Sequence, residues 1–473
     1  MTAVPRVVIA APSSGHGKTA IAVGLLAALR ERGLRPAGFK IGPDYVDAAY
    51  LGLAADRPGR NLDPRLVGAA AVGPLFSYGS AGSDVAIIEG TMGLYDGLAG
   101  RADAESTAQI AGLLRSPVIL VVDVAAMGQS VAALTHGFRA YDELLWLGGV
   151  ILNRVVSDRH EELLRESLDD IGVAVLGSIR QRELPRGVLP GRAEGVLPVV
   201  HHTIAATRGV RRLGEVIAGA VDLDRVLTLA RSAPRLVAEV WTPPVGLEEG
   251  PRPVVAVAGG TRCSYGYAET AELLMAAGAE VVAVDPLRDE RLPEDATALI
   301  VGGGLPEGYL DDLSANVPLA LAVKTLAAAG RPIIAEGAGL AWLAREYDGR
   351  PMCGVLDIAG RTGEYLIVGY RDATVRSVSP HLPVGSSAVG HKQHRGLVSP
   401  RSGERAAWVW PGGQPEGFVS GGVHASYLCL HWAAKPEIAG RLVSAALGGE
   451  SVLKPAAEPA AEPAGDTVMK LAS

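Results

Sequence analysis

Cysteine is scarce in this chain, and the three it has, Cys263, Cys353 and Cys429, stand far apart with no metal-ligand spacing. That excludes a disulfide framework and a paired-cysteine zinc site, and it fits a reducing cytoplasm. Positive charge is not in excess either. A net charge of −7 and a pI near 5.9 argue against nucleic acid or an anionic membrane as the main partner. No apolar run approaches membrane-spanning length, and the opening "MTAVPRVVIAAPSS" is interrupted too early to read as a signal peptide. The expectation is a cytoplasmic protein with neither a nucleic-acid nor a membrane partner.

What is present is ample apolar material: 48% hydrophobic and 20% charged residues over 473 positions, enough for two or three domains. The runs "RVVIAAP", "RPAGFKIG", "DVAIIEG", "SPVILVVDV" and "LGGVILNRV" are short and β-branched, and helix-like runs such as "KTAIAVGLLAALRERG" lie between them. Continuous rather than alternating hydrophobicity is what a parallel strand covered on both faces needs, so the pattern predicts a doubly wound α/β layer. A proline- and charge-rich stretch, residues 231–252, reads as a linker. A second α/β series follows in "VVAVAGG", "AEVVAVDPL", "TALIVGGG" and "RPIIAEG". The expected division is 1–230, linker 231–252, 253–448, and a tail over 449–473 whose Ala-Glu-Pro repeats predict disorder.

"APSSGHGKTA" follows the first strand and opens the first helix. Gly15 and Gly17 let the backbone approach a phosphate, and free N–H groups at the helix start make an anion site. Lys18 is suited to the β- and γ-phosphates and the Thr19 hydroxyl to Mg²⁺. The full pattern wants glycine where Pro12 stands, so this is a variant loop. Partitioning ATPases place a lysine early in the loop, where this chain has Ser13. "FKIGPDYVDAAY" puts Asp44 and Asp47 at a strand end with Lys40 upstream, and "DVAIIEGTMGLYDG" puts Glu89 at another. Strand ends border the ligand crevice of such sheets, and three acids beside a phosphate loop point to a metal site at Thr19, Asp47 and Glu89. In the second half, "RPIIAEGAGLAWLA" has the small residues of a sharp strand-to-helix bend, the place where enzymes set a nucleophile, yet Glu336-Gly337-Ala338-Gly339 offers none.

Together, "SSGHGKT", "FKIGPDYVD", "NLDPRLVG", "IEGTMGLYDG", "GVILNRVVSDRH", "VGGGLPEGYLDDLSAN", "AEGAGLAWL", "PMCGVL" and "HASYLCLHW" resemble the cobyrinic (hydrogenobyrinic) acid a,c-diamide synthase family, in the family's order and nearly to Gly448. The resemblance implies a dethiobiotin synthetase-like, ATP- and Mg²⁺-dependent amide-forming domain. A flavodoxin-like domain of the class I glutamine amidotransferase type would follow, and the whole would form a homodimer. It implies ATP contacts at Ser14, Gly15, His16, Gly17, Lys18, Thr19 and Asn153. Catalytic roles would fall to Lys18, Asp44, Asp47 and Glu89, and substrate contacts to Lys40, Tyr45, Asp96 and Arg192. The partners implied are a small-molecule carboxylic acid and ammonia or another amine.

The same comparison exposes departures. Where the family's elbow carries the cysteine that attacks glutamine, this chain has Gly337, which cannot form a thioester. Where the family has the base histidine, it has Cys429. His431 is expected two residues further along the same strand, and Cys429 as a small buried residue. In "GHKQHRG", Lys392 stands where the family favours an acid. "LPGRAEGVLP" keeps Arg192 but not the following histidine, Tyr50 replaces another histidine, and "GGTRCSYGYAET" lacks the usual run of aromatics. The expectation is a carboxylate-activating ligase without its own glutaminase, with the loop changes favouring a repurposed substrate over a corrinoid. The alternatives are a genuine corrinoid a,c-diamide synthase fed with ammonia and a non-catalytic ATP-binding regulator.

Overall fold

The computed structural model describes residues 3–97, 105–184, 203–244, 250–259, 266–303 and 309–448. Arg192, Cys263, part of the expected linker (245–249), the glycine-rich loop 304–308 and the tail therefore lie outside the described residues. Between Arg6 and Arg180 run seven strands: β1 (Arg6–Ala10), β2 (Pro36–Ile41), β3 (Arg60–Leu62), β4 (Val85–Glu89), β5 (Val118–Asp123), β6 (Leu147–Val155) and β7 (Val175–Arg180). All pair in parallel, in the order β3-β2-β4-β1-β5-β6-β7. The five strands expected from apolar runs are all there. β3 and β7 are additions, β3 being only three residues long and too short to show a period.

Successive side chains of a strand point to opposite faces, and both faces are covered. Val7 and Ile9 enter one core with helix α1 (Lys18–Glu31), while Val8 and Ala10 enter another with Phe76 and Leu164. α1 is locked against the helix Thr203–Ala220 by close approach. A Cβ on Gly24 would lie 2.4 Å from Ile217 Cγ1 and 2.9 Å from the Leu213 carbonyl oxygen. The start of the expected linker is strapped onto this layer: Leu236 is buried in its core, and Pro234 O accepts a 2.6 Å bond from Arg6.

The second sheet uses β8 (Val254–Ala258), β9 (Glu280–Val284), β10 (Ala296–Val301) and β11 (Ile333–Glu336). A third sheet then intervenes, antiparallel except where β12 meets β14, with β12 (Glu346–Tyr347), β13 (Arg350–Pro351), β14 (Ala359–Val375), β15 (Ser387–Ser399), β16 (Trp408–Val409) and β17 (Pro415–Glu416). β18 (Phe418–Ser420) and β19 (Val423–Ser426) return to the second sheet, whose order is β18-β19-β11-β10-β8-β9, parallel except at the β18 edge. The long β14–β15 hairpin has a mixed, half-exposed pattern and escaped the search for buried parallel strands.

Candidate active site

β1 is flanked by β4 and β5, and the chain crosses from one side of the sheet to the other there, so a crevice opens at the carboxyl ends of these strands. The phosphate-type loop fills that position. Gly15 and Gly17 hold φ of 91° and 96°, in the left-handed region where glycine costs least. Gly17 caps α1 without a side-chain bond to the first N–H groups, which leaves those donors for an anion. A Cβ on Gly17 would lie 2.5 Å from Asn153 Nδ2, and that amide donates to His16 O at 2.8 Å. Asp123 N donates to His16 Nδ1 at 2.8 Å. Burial lowers the His16 pKa ahead of the opposing pull of Asp123, so its ring serves as a neutral acceptor. Lys18, buried, reaches across the loop to Ser13 O (3.0 Å) and Met92 O. Asp96 accepts from Gly93 N at 2.8 Å and fixes the turn after β4 against this loop.

Lys40, Asp47, Glu89 and Thr19 form one buried cluster. Lys40 Nζ lies 2.8 Å from Asp47 Oδ2 and 2.7 Å from Glu89 Oε1, and Thr19 Oγ1 donates to the same Glu89 oxygen at 2.5 Å. Burial opposes the Lys40 charge, but the two carboxylates outweigh it and its pKa rises. Burial raises the Glu89 carboxyl, against the pull of Lys40. Asp44 and Asp47 do not both project from a loop. Asp44 is the N-cap of α2 (Tyr45–Ala55), accepting from Val46 N and Asp47 N, and Asp47 stands in the first helical turn. A carboxylate two or three residues before free N–H groups takes the capping bond, so the GPD motif doubles as a helix start. Tyr45 meets Tyr267 edge-on, centroids 5.9 Å apart.

The expected elbow is a true bend. Gly337 has φ of 56°, and a short helix, Gly339–Trp342, follows β11 at once. The space a side chain would need is gone. A Cβ at Gly337 would lie 2.6 Å from Gly303 Cα and 3.0 Å from Cys429 Sγ. Cys429 is buried, and burial pushes its thiol well up, which disfavours the thiolate that a nucleophile needs. It pairs by backbone bonds of 2.9 Å with His391 in an isolated bridge.

Two family profiles match the chain: a CobQ/CobB/MinD/ParA nucleotide binding domain over residues 7–188 and a CobB/CobQ-like glutamine amidotransferase domain over 255–437. The hydrogenobyrinate a,c-diamide synthase of Streptomyces coelicolor is 48% identical over 93% of this chain and 97% of its own length. That of Mycobacterium tuberculosis is 47% identical over 93% and 98%, and the cobyrinate a,c-diamide synthase of Gloeobacter violaceus 37% over 92% and 96%. The chain belongs to the a,c-diamide synthase family.

In the second half of this member of the a,c-diamide synthase family, a set of charges is buried. The Lys392 ammonium sits 3.4 Å from Glu416 Oε1 and over the Trp410 ring, 5.1 Å from its centroid. Glu416 also accepts from Ser426 Oγ (2.7 Å) and Tyr427 N (3.2 Å). Those bonds end β19 and turn the chain. His431 accordingly does not continue a strand with Cys429 as expected; it lies in a loop, stacked on Tyr267 at 4.3 Å. Tyr267 thus retains one aromatic from a stretch that had looked depleted.

Putting the nucleophile back by Gly337→Cys should cost about 2 kcal/mol, from a left-handed non-glycine residue and an overpacked backbone contact. Glutamine hydrolysis should remain at the blank rate. Urea denaturation and a glutaminase assay check both, and an unchanged midpoint would mean that the pocket still has room.

Burial pushes the Glu336 carboxyl up to about 8; bonds from Trp432 Nε1 (3.2 Å) and Leu430 N (3.3 Å) only partly offset this. A pKa raised on folding gives stability that is complete below the unfolded value near 4.5 and lost as pH rises through the folded one. The stability advantage of the wild type over Glu336→Gln should therefore shrink between those limits, by at most about 1.4 kcal/mol per pH unit. Urea midpoints of both proteins across that window test it; a gap independent of pH would mean that Glu336 stays ionised.

Sequence reasoning passed over Arg60, Asn61, Asp63, Tyr267 and Glu269. Arg60 Nη1 bonds Glu269 at 2.7 Å across the two halves of the chain, and its other nitrogen bonds Glu272. "NLDPRLVG" was the available signal, since its Asp63 and Pro64 mark a helix start.

Proposed function

We propose that the chain is an ATP-dependent amide-forming ligase that activates carboxylates of a corrin-ring acid and takes its nitrogen as free ammonia. The observation carrying this reading is the Thr19–Glu89–Lys40–Asp47 cluster beside the phosphate loop with Lys18, in the same chain as an elbow whose nucleophile position is glycine, with Cys429 filling the space beside it. Likeness across 93% of the chain to hydrogenobyrinate a,c-diamide synthases favours a corrin-ring polycarboxylate over the repurposed substrate that the altered loops had pointed to.

The chemistry follows in two steps. A carboxylate oxygen of the substrate bonds to the γ-phosphorus as the bond to the β-bridging oxygen breaks and ADP leaves. Ammonia then bonds to the acyl carbon, the carbon–oxygen bond to phosphate breaks, and a proton passes from nitrogen to solvent. Lys18 and the first turn of α1 face the charge that moves between the phosphates. Lys40 holds Asp47 and Glu89 in register, and Asp44 fixes the start of α2. Thr19, Glu89 and Asp47 are the residues that would hold Mg²⁺. They are hard oxygen donors, and Glu89 Oε2 is buried with no hydrogen-bond partner among the described residues, which suits a cation. When bound, the ion would offset charge on the β- and γ-phosphate oxygens.

The test supplies the purified chain with ATP, Mg²⁺ and hydrogenobyrinic or cobyrinic acid, adding glutamine or ammonium in turn. ADP is followed by chromatography and amides by mass. Ammonium should support turnover and glutamine should not. Glutamine-dependent amidation would overturn the loss of glutaminase, and no ADP with any carboxylic acid would favour an ATP-binding regulator.

A further inference from the structure

The Gly42–Asp47 loop, which runs into the first turn of α2, carries Asp44 and Asp47, two of the site's carboxylates, yet its own half of the chain does not hold it alone. Tyr267 Oη, from the second half, donates to Pro43 O at 3.1 Å. The Tyr267 ring is stacked on His431 at 4.3 Å on one side and meets the Tyr45 ring edge-on at 5.9 Å. Tyr45 and Tyr267 are both buried in a small cluster with Leu66, so this contact is shielded from water.

A second grip works through β3. Asn61, at its centre, donates from Nδ2 to Gly42 O (2.7 Å) and Asp44 O (3.1 Å), which ties the loop down from below. The residues on either side of Asn61's bond are held by the second half. Arg60 is clasped by Glu269 and Glu272, and Asp63 accepts a 2.7 Å bond from Tyr370 Oη on β14 while capping Arg65 N and Leu66 N. Arg65 adds an ion pair of 2.9 Å with Asp372 on the same hairpin. Gly42 N closes the arrangement by donating to Leu62 O at 3.1 Å.

We propose that the amidotransferase-like half acts as a clamp that sets the Gly42–Asp47 loop, directly through Tyr267 and indirectly through Arg60 and Asp63 on either side of Asn61. The clamp's geometry is independent of the ligase reading, but its effect on turnover rests on it. A half that cannot cut glutamine thereby retains a task in the synthetase reaction. Tyr267 is a positioning residue in this scheme, acting on Asp44 and Asp47 through the backbone at Pro43. Displacing a reacting group by about 1 Å can cost about a hundredfold in rate.

Two variants test it. Tyr267→Phe keeps both ring contacts and loses only the bond to Pro43; Tyr267→Leu loses all three. With ammonium and a corrin-ring acid, kcat should fall about fivefold for the first and about a hundredfold for the second, with KM for ATP within about twofold of wild type. Hydrogen–deuterium exchange, which needs no substrate, should show the amides of residues 42–47 exchanging faster in both, by about tenfold in Tyr267→Phe. Unchanged exchange there in Tyr267→Phe, which has no reason to misfold, would overturn the clamp, as would faster exchange with unaltered kcat. Faster exchange in a protein whose wild type shows no turnover would leave the clamp standing and bring down the ligase reading.

Discussion

Lys18→Ala should lower ammonium-supported ADP release by about a hundred- to a thousandfold while leaving the fold intact. The ammonium is buried, and its bonds to Ser13 O and Met92 O aim it across the mouth of the loop rather than into solvent. Lys40 is held between Asp47 and Glu89 and does not stand in for it. Removing Lys18 takes away an interaction that strengthens as charge moves to the departing ADP. Steady-state kinetics with thermal melting checks this. A variant with full turnover would remove Lys18 from the reaction, and one that melts at much lower temperature would mark it as a structural residue.

Arg60→Met should destabilise the protein by about 3–5 kcal/mol, the usual cost of stripping one partner from a buried ion pair. Burial alone would push the Glu269 carboxyl upward, but Arg60 and then His431 outweigh it and hold the pKa below its ordinary 4.5. A pKa depressed on folding gives stability that is present above the unfolded value and lost as pH falls through the folded one. The penalty of Arg60→Met should thus be largest at neutral pH and shrink in acid. Adding Glu269→Met to it should recover part of the loss, because replacing a pair costs less than orphaning one member. Urea midpoints at both ends of that range decide the matter; a penalty that persists unchanged in acid would point to lost packing of the arginine stem over the Tyr78 ring.

The parallel layers were legible because buried strands leave apolar runs, and the phosphate loop because glycine, lysine and threonine sit at fixed offsets between a strand and a helix. Gly337 and Cys429 stood out against the family pattern, but only coordinates show Cys429 Sγ occupying the room a Gly337 side chain would need. That Asp44 also caps α2 was not legible, because a capping carboxylate and a catalytic one look alike in sequence. Tyr45, expected at the substrate, also packs its ring into the seam between the halves, which no local pattern announces. What the sequence could not reveal was that seam. Arg60 and Glu269 are 209 positions apart, and no local period links a three-residue strand to a distant helix. The β14–β15 hairpin escaped for a different reason: its half-exposed strands satisfy neither a continuous nor a cleanly alternating pattern.

That separation also has a meaning in time. A ribosome adding about 5–20 residues per second makes β3 well before it makes the groups that grip it. Arg60 must wait for a glutamate 209 residues downstream, a delay of roughly 10–40 s at that pace. Asp63 waits longer, for a tyrosine 307 positions on. During that interval the nascent first half has its phosphate loop but not the outer contacts of β3. A nascent chain that stops short of Tyr370 therefore carries the phosphate loop without the full outer grip on β3.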